Sequence, residues 1–265
     1  MGSEGEIRVE TRDRPEGGRV AFVSVAAEHR LNLLDSTLMR RFAEAMAGVS
    51  ADDDLRAVVL AGAGSRPFVG GADIREMGAL RDGAEARAFI ELVHGICRAV
   101  RDCPVPVIAR VEGYALGAGL ELAAACDLRI AADDARFGMP EVRVGIPSVV
   151  EAALLPALIG WGRARRLLLL GEIIGAAEAL EWGLVERVVP ASGLDGAVEE
   201  WLAHLDAAGP LALRAQKALM REWENLPMDR AVAAGIEAFA RSWSTDEPAR
   251  MMRRFLHRPR PGGAG

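Results

Sequence analysis

The stretch GYALGAGLELAAACD, residues 113–127, is built almost wholly of small and apolar residues, yet it carries Glu121 near its centre. The first half, GYALGAG, holds too much glycine for a helix interior. The second half, LELAAACD, is rich in strong helix formers. A turn should therefore run into a helix that starts near Ala118. A helix with no polar face belongs in a protein interior, and burying an ionised carboxylate costs about several kcal/mol unless something compensates. Glu121 falls in the first turn, where unpaired N–H groups and the helix dipole favour negative charge. Either it caps its own helix or it is buried for chemistry.

The flanking segments alternate. GGRVAFVSVAAE (17–28), LRAVVLAGAG (55–64) and VPVIARVEG (105–113) read as strands, the last two as buried parallel ones. DSTLMRRFAEAMAGVS (35–50) and EARAFIELVHGICRAVRDC (85–103) have apolar residues at helical spacing, and Asp35 or Ser36 should cap the first. SRPFVGGADIREM (65–77) reads as a glycine-bearing loop, and DLRIAADDARFGMPEV (127–142) as two short strands around an acidic turn. From Ser148 onward the pattern is almost wholly helical, interrupted by an extended GLVERVVP (183–190). This order predicts an α/β fold with right-handed crossovers and an attached helical C-terminal region. The expected divisions are a core domain over 1–199 with residues 1–6 disordered, a helical region over 200–257, and a flexible tail over 258–265.

Composition narrows the function. The 265 residues carry a net charge of −6, and Lys217 is the only lysine. A nucleic-acid partner usually demands a basic face, so none is expected. The acidic N-terminus MGSEGEIRVE is no signal peptide, and no run is long and apolar enough for a membrane span. Cys97, Cys103 and Cys126 include no CxxC pair and read as small buried hydrophobes in a reducing compartment. A cytoplasmic protein is the expectation. His29, His94, His204 and His257 are scattered, with no cluster at metal-ligand spacing. GAGLEL resembles a dinucleotide fingerprint, but Leu122 stands where its third glycine belongs, and the first strand–helix–strand unit lacks the motif.

A second acid, Glu141, follows Pro140 in FGMPEV and should sit on extended or turning backbone near a strand end. Alone it reads as a loop acid. Its company changes that reading. The glycine loops FVGGAD and ALGAG each follow a buried strand, and in an open α/β sheet ligands sit at the carboxyl ends of strands. Two such loops can aim backbone N–H groups at one oxygen.

In their order, SRPFVGGADIREM, VEGYALGAGLELAAACDLRIAADDARFGMPEVRVGI and EALEWGLVERVVP resemble the enoyl-CoA hydratase/isomerase (crotonase) family over about residues 18 to 256. The resemblance implies the crotonase (ClpP-like) fold of repeated ββα units, with a helical C-terminal trimerisation region and trimers often paired into hexamers. It implies an acyl-CoA substrate and no tightly bound cofactor, coenzyme A entering as part of the substrate. Residue by residue, it implies an oxyanion hole from the backbone N–H groups of Ala72 and Ala118, with Gly71 and Gly117 allowing close approach. Glu121 and Glu141 fall where the family's hydratases keep their catalytic pair. Glu121 would orient and deprotonate water, and Glu141 would exchange the proton at the α-carbon. Asp73, Ile74, Arg75, Met77 and Arg30 are the implied substrate and CoA contacts. His29 fits that role in part, Arg258 and Arg260 could reach a neighbouring subunit's ligand, and Phe68 and Trp161 are candidates for the acyl channel, with core packing favoured for Met77 and Trp161.

One segment departs from the family pattern. After PEVRVGI the chain reads PSVVEAALLP, with Ser148 and Val149 where many members have a glycine pair. Ser148 and Glu151 have the spacing of a capping box. Val149 or Val150 should narrow the acyl end, and Glu151 adds a third acid near the reactive carbons. The expected activity is hydration of an enoyl-CoA. A Δ3–Δ2 enoyl-CoA isomerase is the runner-up, followed by decarboxylase, hydrolase or racemase chemistry on a CoA ester, and more remotely a non-catalytic or RNA-binding member.

Overall fold

Parallel strands bury both faces, so their sequences run apolar rather than alternating. The first six residues of β3 (Leu55–Gly62) are all buried. In the computed structural model, which describes residues 5–64 and 67–257, this strand lies inside a six-stranded sheet. The sheet order is β1 (Glu6–Asp13), β2 (Arg19–Ala26), β3, β5 (Val107–Val111), β7 (Leu128–Ala132) and β10 (Arg187–Val189). Only the β1–β2 pair is antiparallel. The apolar stripes of α1 (Ser36–Ser50) and α3 (Gly83–Asp102) pack into the core through residues such as Phe42, Met46, Phe89 and Ile96. Asp35 caps α1, accepting from the Leu38 N–H at 2.7 Å.

A second, four-stranded sheet runs in the order β4 (Pro67–Val69), β6 (Tyr114–Leu116), β8 (Arg136–Gly138) and β9 (Ile173–Gly175). It gives the fold its repeat. Each pair β3–β4, β5–β6 and β7–β8 places its first strand in the large sheet and its second in the small one. Between these strands stand α2 (Ile74–Gly78), α3 and α4 (Ala118–Ala125); beyond them come α5 (Leu155–Leu170), broken at Gly160, and α6 (Ala176–Trp182). The expected ββα pattern is thus present, but β4 and β6 lie inside stretches that read as loops, and β9 inside one that reads as helix. Of the residues 1–6 expected to be disordered, Gly5 is buried and Glu6 opens β1, and residues 1–4 lie outside the described residues. Residues 258–265, including Arg258 and Arg260, lie outside the described residues.

The chain divides into two compact units, one ending at Leu202 and the other beginning at Ala203, within α7 (Leu194–Ala207). The second unit contains α8 (Pro210–Trp223), α9 (Met228–Ser242) and α10 (Glu247–Leu256). There Glu247 is buried and accepts from the N–H groups of Leu211 (3.1 Å) and Ala212 (2.8 Å), so one helix's carboxylate caps another's N-terminus. Among the described residues, no helix is long and apolar enough to cross a membrane.

Candidate active site

The strands β4 and β6 run parallel with Val69 opposite Ala115. Ala72 and Ala118 each lie three residues further on, so two backbone amides emerge side by side past neighbouring strand ends, which stand about 4.8 Å apart. Their orientation is set locally. Leu34 bridges to Ala72, donating its N–H to the Gly71 carbonyl and accepting from the Asp73 N–H, both at 2.9 Å. This leaves the Ala72 N–H pointing away from the bridge, with no acceptor among the described residues. Ala118 is the first residue of α4, where an N–H has no intrahelical acceptor. Buried Asn32 fixes the whole arrangement. It accepts from Ala27 (2.8 Å) and donates to the carbonyls of Ala63 (3.1 Å) and Pro67 (2.7 Å), tying the chain before Leu34 to the start of β4.

Every residue of α4 is buried. Gly119 lets that helix lie directly on β4, since a Cβ there would overlap the Val69 carbonyl oxygen. Gly117 adopts φ +52°, and a Cβ there would strike Oε1 of Glu141. Glu141 therefore packs against the loop from which the helix of Glu121 starts. Glu121 is 4% exposed, and its Oε1 accepts from the Ala152 N–H at 3.1 Å. It does not cap its own helix. Glu141 opens a 3₁₀ turn (Glu141–Val144) and accepts from the Ser148 hydroxyl at 2.7 Å. Burial, and then the charge of Glu141, push the Glu121 carboxyl up to about 8; the Ala152 N–H opposes this and the charge of Glu151 adds to it.

A cavity of about 890 Å³ opens over this cluster. Gly71, Ala72, Ile74, Met77, Gly117, Ala118, Glu121 and Glu141 all line it, so both amides and both acids share one wall. The rest is largely apolar, with Phe89, Ile90 and Val93 from α3 facing Ile146, Pro147 and Val149. Arg30, Asp73 and Arg75 stand off the wall. Arg30 pairs with Asp35 (2.5 Å) and Asp73 (3.4 Å), Asp73 caps α2, and Arg75 is exposed without an ion-pair partner among the described residues. The arginines at the cavity are Arg81, Arg87 and Arg143. Phe68 is buried in the core rather than at the cavity, Met77 both packs against the core and lines the cavity, and Trp161 is 64% exposed.

The Ser148–Glu151 capping box does not form. The turn Val150–Leu154 has no side-chain cap, because Ser148 is taken by Glu141 and Glu151 turns inward to His94. Asn32, His94 and the Ala152 N–H escape sequence reasoning. Of these only Asn32, in HRLNLL, offers a signal: a polar residue among leucines.

A cleft whose lining includes two unpaired backbone amides and two acids has the groups that stabilising an oxyanion and moving protons require. The chain belongs to the enoyl-CoA hydratase/isomerase family, whose sequence model matches residues 16–262. It is 36% identical to the short-chain-enoyl-CoA hydratase of Clostridium acetobutylicum over 242 residues, covering 91% of this chain and 92% of that protein. It is 35% identical to the crotonyl-CoA hydratase of Syntrophomonas wolfei over 241 residues, covering 91% and 92%. Among solved structures, an enoyl-CoA hydratase from Bacillus anthracis superposes with a TM-score of 0.88 at 30% identity, over 95% of this chain and 96% of that one.

Proposed function

We propose that this protein adds water across the 2,3 double bond of an enoyl-CoA. The observation that carries the reading is the pair Glu121 and Glu141 on the wall that also holds the Ala72 and Ala118 amides. The thioester oxygen accepts from the two amides, which stabilise the enolate as it forms. Water oxygen bonds to the β-carbon while one acid takes a proton from that water. The other acid gives a proton to the α-carbon, so the elements of one water molecule are added. Coenzyme A belongs to the substrate, and no tightly bound cofactor enters the scheme.

The pair must hold one proton between its members. Burial and the charge of Glu141 favour the protonated form of Glu121. This is the distribution suited to the reverse reaction, in which Glu121 protonates the departing hydroxyl and Glu141 takes the α-proton. Hydration follows once the proton passes to Glu141, leaving Glu121 to activate the water.

The reading extends to assembly and location. Val232, Ile236 and Phe239 form an exposed apolar stripe along α9 that continues to Trp243 at its end, which supports self-association to a trimer or a dimer of trimers; the reading also includes a cytoplasmic location. Sedimentation of a stable monomer would count against the assembly. The activity is tested with crotonyl-CoA and with branched and aromatic enoyl-CoAs, following loss of the conjugated thioester. Glu121→Gln and Glu141→Gln should each lower kcat by about 10²–10⁴-fold. Loss in Glu141→Gln alone, with a 3-enoyl-CoA as the better substrate, would favour isomerisation.

A further inference from the structure

Glu151 is a buried acid that the hydration scheme leaves without a role. It is 8% exposed; its Oε1 meets Nδ1 of His94 at 2.9 Å, and its Oε2 is buried without a hydrogen-bond partner. The His94 side chain is half exposed, so it joins this carboxylate to the surface of α3. The backbone just before Glu151 is unusual as well. Val150 has φ +39°, a left-handed conformation in which a β-branched residue is an outlier. Such a conformation costs about 1–3 kcal/mol and persists only where its surroundings over-determine it. Here it turns the chain so that the Glu151 side chain meets α3 while the next N–H, that of Ala152, is shared between the Val149 carbonyl (2.9 Å) and Glu121 (3.1 Å).

We propose that Glu151, clasped by His94, is a positioning residue for Glu121: the clasp pins the strained turn at Val150 so that the Ala152 N–H holds the Glu121 carboxyl, with the Glu151 carboxylate set close behind it. This deepens the two-acid reading and rests on it for its kinetic consequences. The groups around Glu121 are consistent. Glu141 faces it from the Glu141–Val144 turn and Glu151 from the Val150–Leu154 turn, both raising its proton affinity after burial itself. From α3, Cys97 lies in the same field; burial first, then Glu151 and Glu121, push its thiol well up. Cys126 closes α4, and Arg129 of β7 donates to the Ala123 and Cys126 carbonyls at that helix's far end. His94 stands on the far side of Glu151, and the arginines of the cavity, Arg81, Arg87 and Arg143, lie elsewhere on its lining.

The test separates charge from shape. Glu151→Gln retains the size and the bond to His94 but removes the charge. The pH at which Glu121 loses its proton should fall below that of the wild type. That pH is read from the infrared band of the protonated carboxyl, assigned by its absence in Glu121→Gln, and needs no turnover. The matching limb of the kcat/KM profile should move to lower pH with it. Glu151→Ala should lower kcat by about 10²-fold with KM nearly unchanged. Adding Val150→Gly to that variant should return about tenfold of kcat, because glycine takes a left-handed φ freely, while the pH limb stays displaced. An infrared band that titrates as in the wild type in Glu151→Gln overturns the proposal, whether or not Glu151→Ala folds. A wild-type protein without hydratase activity would remove the hydratase reading, and the infrared titration would still decide the role of Glu151.

Discussion

Two turns in this protein set the acids on either side of Glu121, and they do so by opposite means. At Gly117 the backbone takes φ +52° with a residue made for it, and the missing Cβ leaves room for Glu141. At Val150 the backbone takes φ +39° with a residue that resists it. The first turn is permissive: the chain can adopt it unaided. The second must be held in place, and the His94–Glu151 contact is the feature positioned to hold it. A glycine loop can therefore be recognised from its letters, whereas a strained valine turn becomes visible only once its clasp is seen.

The comparison is most severely tested at Gly117. Alanine there would meet both a forbidden backbone and the Glu141 carboxylate. Gly117→Ala should lower kcat for enoyl-CoA hydration by about 10²–10³-fold, the scale of losing an oxyanion-hole donor. It should also lower the melting temperature. An alanine variant with near-native turnover would mean that the loop geometry is incidental.

The next effect is on stability and concerns the acid between the two turns. Burial and neighbouring charge raise the Glu121 carboxyl from the ordinary 4.5 to about 8. Between those values the folded protein keeps a proton that the unfolded chain has released. Folding stability from this group is therefore fully present below about pH 4.5 and is lost as pH rises through about 8, amounting to a few kcal/mol. Glu121→Gln removes the titration. Its melting temperature should fall less than that of the wild type between about pH 5 and about pH 9, and the variant should be the more stable at the alkaline end. Parallel melting curves for the two proteins would remove Glu121 as the group responsible.

Legibility followed the physics of each region. Long apolar runs such as LRAVVLAGAG declare buried strands, and the all-apolar α4 declares an interior helix. The strands β4, β6 and β9 have three residues each, too few for any period to register. The carboxylates Glu121 and Glu141 could be singled out because glycine loops and a family resemblance surrounded them. Ser148 and Glu151 had a local explanation in the capping box, and tertiary partners took both side chains instead. Trp161 shows the converse, an aromatic expected in the core that is exposed, with Arg165 stacked over it at 5.3 Å.

The smallest expected effect is the sharpest probe of the held turn. Val150→Gly alone relieves the left-handed strain, which favours the folded state. It also loosens the unfolded chain, by about 0.5–1 kcal/mol in the opposite direction, and it removes a half-buried side chain that packs against the core. These contributions nearly cancel, so the melting temperature should move by no more than about 3 °C. Turnover should stay within about threefold of the wild type, since the clasp still holds Glu151 and the Ala152 N–H still meets Glu121. A loss of several kcal/mol on making this glycine would show that the Val150 side chain, rather than the clasp, holds the turn, and the contrast with Gly117 would fail.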